Sequence, residues 1–267
     1  GSGLSGTTLT IGIEGGNNET VDLSSLSDAT NINGLSDALV ESNSIYIGND
    51  PSSTTDAAEY NISIGATTLD AITTGDYNIG IGYGGLTANT SGGGNAAIGF
   101  EALKANTSGA QNIAIGLAAL FSNTTGDNNT ASGYQALYSN TSSSHNVATG
   151  YQALYNTDGT ADSTSGAHNA ATGYQALYSN TTGGGNTAIG QGALYSNTTG
   201  TYNNASGYQT LYSSTTGSGN TAIGQQALYS NTTGQYNIAV GMSTLWNNTT
   251  GNSNTALGYQ ALVQNTT

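Results

Sequence analysis

Cysteine is absent from the 267 residues, which excludes disulfides and thiolate chemistry together. Bases are nearly absent too. Lys104 stands alone against 15 acids, for a formal net charge of −14. Without cations nothing neutralises phosphates or anionic headgroups, so nucleic-acid binding and attachment to acidic membranes are both excluded. No apolar run reaches the ~18 residues that a spanning helix needs, and no membrane insertion is expected. The few charges are uneven: 11 acids lie in residues 1–76, and only Glu101, Asp127, Asp158 and Asp162 follow. Sparse charge argues against a charged disordered tail, and 40 glycines argue against an ordinary globular domain.

What the chain has is a repeat. From Ser44 onward, every 17 residues bring Asn, any residue, Ala, an apolar or small residue, and Gly, often followed by Tyr-Gln-Ala-Leu-Tyr-Ser-Asn-Thr-Thr-Gly. Counting that Asn as position one, it recurs from Asn61 through Asn112, Asn186 and Asn220 to Asn254, and the one irregular step is Asn146 to Asn169. A period of this length predicts a solenoid, in which each coil buries its apolar face only against its neighbours. The expected architecture is mainly β, a parallel β-roll or β-helix-like rod with 17-residue coils. Gly at position five occupies all 13 copies, including Gly116, Gly190 and Gly224, as needed for positive φ or a backbone approach too close for Cβ. The position-one Asn predicts an amide ladder. Leu at position nine, as in Leu194 and Leu228, is the expected core, and Ala at position three marks a tight interior. Residues before the Gly read as a short strand. Positions six to eleven are ambiguous, because Tyr-Gln-Ala-Leu-Tyr has a helical i, i+3, i+4 spacing and also alternates.

Residues 1–43 form a separate junction. Residues 8–13 and 19–23 alternate as strands, with Gly15, Gly16, Asn17 and Asn18 suited to the turn of a hairpin. A stretch around residues 35–40 leads into the first coil, and a vestigial copy is read near Ser27. The solenoid then occupies residues 44–267, with six extra residues within 156–167. At sheet spacing, thirteen coils give a rod on the order of 60 Å. Ile62 and Ile64, Ile79 and Ile81, and Ile113 and Ile115 flank the small third position, so both strand faces are apolar. One face is therefore expected against other chains, as a homotrimer by analogy with fibres. The chain begins without Met and stops at the fourteenth position of a repeat, and reads as a segment of a longer protein.

The Asn-Thr-Ala-Ile-Gly runs at residues 186–190 and 220–224, with Asn-Ile-Ala-Ile-Gly at 112–116, resemble the repeats of trimeric autotransporter adhesin heads. That resemblance implies three left-handed parallel β-rolls side by side. The Gly-Tyr-Gln-Ala-Leu-Tyr-Ser-Asn-Thr-Thr-Gly portion and Val-Asp-Leu-Ser-Ser-Leu at 21–26 are similar to repeat regions of bacteriophage tail-fibre proteins. The coil is about three residues longer than the adhesin repeat, and neither family supplies a catalytic residue.

Chemistry-bearing residues are few. The acids are scattered and the histidines number two, so no enzyme and no cofactor is expected. The Gly-x-Gly-x-x-Gly string at residues 80–85 lies inside ordinary repeat positions, without the helix or later acid of a dinucleotide site. No Asp recurs in every coil, which rejects calcium-binding repeats. His145 and His168 share one register and would form rings of imidazoles in a trimer, a metal reading set against solvated side chains. The insertion carries Asp158 and Asp162, either a partner loop or a tolerated one. Tyr178, Tyr195 and Tyr229 belong to a position-ten aromatic column, a strip for stacking on sugar rings or simply packing. Asn-Thr-Thr or Asn-Thr-Ser at position twelve is formally a glycosylation acceptor in nine coils, although glycans about 5 Å apart would collide.

These features point to a structural segment of an extracellular or virion fibre, a tail-fibre shaft or adhesin. It would project or support receptor binding, with itself and a cell-surface glycan or receptor as partners. The alternatives are an ice-binding solenoid, motivated by the paired Thr at positions thirteen and fourteen, and a self-assembling extracellular filament.

Overall fold

A computed structural model describes residues 43–48, 57–158 and 165–266, together with the backbone of four strands before them. Those are β1 (Gly3–Ser5), β2 (Thr8–Ile11), β3 (Glu19–Asp22) and β4 (Ala38–Glu41). The first three form an antiparallel sheet in the order β1-β2-β3, with Ile11 opposite Glu19, so the hairpin has a third strand on its other edge. The expected vestigial copy near Ser27 and most of the insertion lie outside the described residues.

β4 pairs antiparallel with β5 (Ser44–Ile47), which starts the solenoid. Twelve three-residue strands follow, from β6 (Ile62–Ile64) to β17 (Thr255–Leu257), each parallel to the next. Position three always faces position three: Ala114 lies opposite Ala131, and Ala131 opposite Ala148. The six-residue insertion leaves the register intact, since Ala148 pairs with Ala171. No helix occurs among the described residues, and positions six to eleven are turns.

Those turns carry the helix-like sequence because of a backbone feature that periodicity does not encode. Positions seven and nine are left-handed in coil after coil, for example Gln175 and Leu177 at φ 53° and Leu194 at 52°. A left-handed conformation costs a non-glycine residue roughly 1–2 kcal/mol. Full burial of a Leu side chain contributes about 1.5–3 kcal/mol, and Leu194 is 0% exposed. Its N–H also donates to the Thr210 carbonyl of the following coil at 3.0 Å. Burial therefore outweighs strain, and a γ-branched side chain is selected, because β-branching is least tolerated in this region of φ.

The interior is thin. A Cβ on Gly85 would stand 3.7 Å from the Ala97 Cβ, so position eight of one coil reaches position three of the next. Where Thr replaces Ala at position eight, its hydroxyl donates to a glycine carbonyl of the next coil, as from Thr210 to Gly224 at 2.7 Å. The position-five glycines are needed on two counts. Gly116 has φ 128°, and a Cβ there would lie 2.6 Å from the Gly133 carbonyl oxygen.

Positions two and four point outward. Ile113 and Ile115 are 42% and 43% exposed on either side of fully buried Ala114. Ile62, Ile64, Ile79, Ile98, Ile189, Ile223 and Ile238 continue this exposed apolar face. No helix among the described residues is long and apolar enough to cross a membrane.

Leu194→Ile tests the left-handed position. Isomeric core swaps usually cost less than about 1.5 kcal/mol, but here the loss should be about 2 kcal/mol or more, because β-branching is added at positive φ. Guanidinium unfolding reads it; an ordinary small loss would mean that φ does not limit this site.

Candidate functional site

Two columns of buried amides run inside the rod. Asn112 Oδ1 accepts from the Asn129 backbone N–H at 2.9 Å and from Asn129 Nδ2 at 3.2 Å. Its own Nδ2 donates to Asn95 Oδ1 at 3.1 Å and to the Gly126 carbonyl at 2.8 Å. Asn186 and Asn220 make the same set with their neighbours. The position-twelve asparagines form the second column, where Asn123 Nδ2 donates to Asn106 Oδ1 at 2.8 Å. Both columns meet at the position-fifteen carbonyl: Gly126 accepts from Asn112 and also from Asn123 at 3.0 Å. Asn89, Asn106, Asn123, Asn140, Asn180, Asn197, Asn231 and Asn248 are fully buried. Their Asn-Thr-Thr and Asn-Thr-Ser motifs are therefore turn chemistry, inaccessible to glycosylation in the folded rod.

The outer surface carries columns as well. At position ten, Phe121, Tyr138, Tyr155, Tyr178, Tyr195, Tyr212, Tyr229 and Trp246 stack continuously with centroids 4.8–5.4 Å apart. These rings are half-buried, faces covered by one another and edges toward solvent. A second aromatic column, at position six, is absent from the sequence reading. Tyr134, Tyr151 and Tyr174 stack at 5.1 Å there and are exposed. Position seven holds a third, of glutamines: Gln175 Nε2 donates to Gln152 Oε1, and Gln152 Nε2 to Gln135 Oε1, both at 2.9 Å.

Between Gln135 and Gln226 one coil breaks the glutamine column, and the same coil lacks the position-six tyrosine. Gln191 stands at the position of Tyr174 and Tyr208, and Gly192 at the position of Gln175 and Gln209. The result is a notch of about 110 Å³ bordered by Gln175, Gln209, Tyr195 and Tyr212. A larger hollow of about 380 Å³ lies over Gly184 and Gly185, between His168 and Tyr202. There the Tyr202 ring leans to within 2.8 Å of where a Gly185 Cβ would be.

The remaining candidates are dispersed. His145 and His168 stack at 4.9 Å with rings 1° from parallel, and both are exposed. No group of three metal-ligating side chains occurs among the described residues. Asp158 is exposed and accepts the Thr141 hydroxyl at 2.6 Å; Asp162 lies outside the described residues. Gly80 and Ile81 of the Gly-x-Gly-x-x-Gly string are in strand β7 (Ile79–Ile81). The notch is detectable in the sequence only as a Gln-Gly where flanking coils have Tyr-Gln, and its meaning depends on the ladder.

No protein-family model, curated protein or solved structure matches this chain. The site's own geometry is what carries a functional reading.

Ser214 breaks the position-twelve column, leaving Asn197 Oδ1 and its own hydroxyl buried without hydrogen-bond partners. Ser214→Asn restores the rung and should stabilise the rod by about 1–2 kcal/mol, read as a raised denaturation midpoint. No gain would mean that the column's partners are not limiting.

Burial raises the Tyr155 and Tyr212 phenols above the ordinary 10.0, with neighbouring phenols adding to the shift. Groups raised in the folded state contribute stability that is present below the ordinary value and lost as pH climbs through the raised one. Stability should therefore hold to about pH 10 and fall beyond it. A spectrophotometric titration compared with Tyr212→Phe should show one late-ionising phenol removed.

Proposed function

We propose that this chain is a structural segment of an extracellular or virion fibre, a tail-fibre shaft or adhesin that assembles as a homotrimer and supports receptor binding at cell-surface glycans. The observation that carries this reading is the unpartnered apolar face of the parallel sheet. Exposed isoleucines recur at positions two and four in the coils before Asn129 and again at Ile189, Ile223 and Ile238, with smaller and polar residues between, and buried Ala at position three lies behind most of them. Contiguous exposed apolar surface marks an interaction face. Two further copies of the chain are the partners that match it in length, repeat spacing and apolar character. The absence of charge on these rows removes the repulsion that would oppose a self-complementary contact.

The glycan part rests on the outer columns. Stacked tyrosine edges beside neutral amides present the mixture of apolar ring edges, hydroxyls and amides against which sugars can pack and hydrogen-bond. The resemblance to adhesin-head and tail-fibre repeats points the same way.

The ice-binding alternative is weaker for a specific reason. The position-thirteen hydroxyls, as in Thr107 and Thr124, donate to carbonyls of the next coil at 3.1 and 3.0 Å, and so are engaged within the rod.

Light scattering should give three times the 26.6 kDa chain mass. Replacing Ile113 and Ile115 with Glu should reduce it to a monomer whose circular dichroism keeps the β signature. A wild-type monomer would overturn the trimer, and a mass rising without limit with concentration would favour the filament reading.

A further inference from the structure

The glutamine column has a direction. Each Nε2 points toward the preceding coil and each Oε1 toward the following one, as Gln152, Gln175 and Gln226 show. At Gly192 one rung is missing. Gln175 Oε1 faces the gap from one side with no partner among the described residues, its Nε2 being used on Gln152. Gln209 Nε2 faces it from the other, its Oε1 being taken by Gln226 at 3.2 Å. The two glutamines stand two coils apart, on the order of 10 Å, a separation that one amide bridges elsewhere in the column. The notch therefore presents one acceptor and one donor at the spacing of a single amide.

Its surroundings narrow the chemistry. At about 110 Å³ it is well below the ~300–1,000 Å³ of pockets that enclose whole small-molecule ligands, so it takes a substituent rather than a complete molecule. No charged side chain lines it, which favours a neutral ligand. Tyr195 and Tyr212 form one wall, stacked at 5.0 Å, and Tyr174 and Gln191 complete the lining. Aromatic surface against the substituent's methyl, with amides within reach of neighbouring hydroxyls, fits an acetylated amino sugar.

We propose that the notch over Gly192 binds the acetamido group of an N-acetylhexosamine, which replaces the missing glutamine rung. The ligand N–H donates to Gln175 Oε1, its carbonyl accepts from Gln209 Nε2, and its methyl packs on the Tyr195–Tyr212 wall. This rests on the glycan-contact reading above and gives it a substrate class. Selectivity follows from these two amide groups: a sugar lacking the acetamido forgoes both hydrogen bonds and leaves the half-buried glutamines to water.

The test is saturation-transfer NMR on the full chain with N-acetylglucosamine, and with glucose and N-methylacetamide as controls. The acetyl methyl of N-acetylglucosamine should receive the strongest saturation, and glucose little. Gly192→Gln should weaken binding at least about tenfold, because it supplies the rung. Six coils hold Gln at this register with φ 51–56°, against 65° at Gly192. A Cβ there would sit 3.3 Å from the Tyr212 ring edge, which must give by a few tenths of an ångström. Gln209→Glu is a second variant that keeps the shape and removes the donor, and it should also lose binding. Equal saturation of glucose, or full binding by both variants, overturns the site and leaves the wider glycan reading standing. N-methylacetamide saturating as strongly as the sugar overturns the carbohydrate assignment. Silence from all three ligands overturns the site; binding of the same chain to a mixed-glycan array then decides whether the wider reading falls too.

Discussion

The buried asparagine columns are the constraint on which the rod depends. A coil this thin has little hydrophobic depth, and its largest recurring core side chain is one Leu per turn. The asparagines supply the specificity that the small core does not. Most position-one side chains, Asn112 among them, satisfy a backbone N–H, a neighbouring amide and a turn carbonyl at once. A net hydrogen bond contributes only about 0.5–1.5 kcal/mol, whereas an orphaned buried polar group costs about 1–3 kcal/mol. Such columns therefore act chiefly by penalising every register except the native one. That is why strands only three residues long keep their alignment over the whole solenoid.

Backbone strain is distributed in the same periodic way. Left-handed residues recur at positions seven, nine and seventeen, among them His145 and His168. The direction of their N–H groups lets carbonyls of adjacent coils be paired on every side of the rod, including the turns. The strain and the stacking are thus two descriptions of one arrangement, and neither exists in an isolated coil.

Much of this was legible in the residues, and the part that was not has a physical cause. Period, strand placement and a Leu core follow from residue types that recur at fixed spacing. Tyr-Gln-Ala-Leu-Tyr remained ambiguous because a left-handed Leu is unfavourable locally and is compensated only by coils 17 residues away. The alternation of exposed Ile with buried Ala was visible at residues 113–115, yet the sequence does not say what lies against the exposed side. Gly192 was harder still. In a chain with 40 glycines one more attracts no notice, and it becomes a site only when the direction of the amides on either side is known. His145 and His168 show the reverse: a shared register was readable, while three-ligand metal geometry was not implied by it and does not occur among the described residues.

The unbroken register across the insertion has a consequence for how such a rod can vary. The flanks rejoin the stack through ordinary bonds, Asp158 N–H to the Thr181 carbonyl and Gly166 N–H to the Thr182 carbonyl. Chain length at that corner is thereby uncoupled from the geometry of the sheet. The solenoid behaves as a ruler with a permissive margin: segments can be spliced in along one edge, and foreign peptides displayed there, without altering the spacing of anything mounted on the other sides.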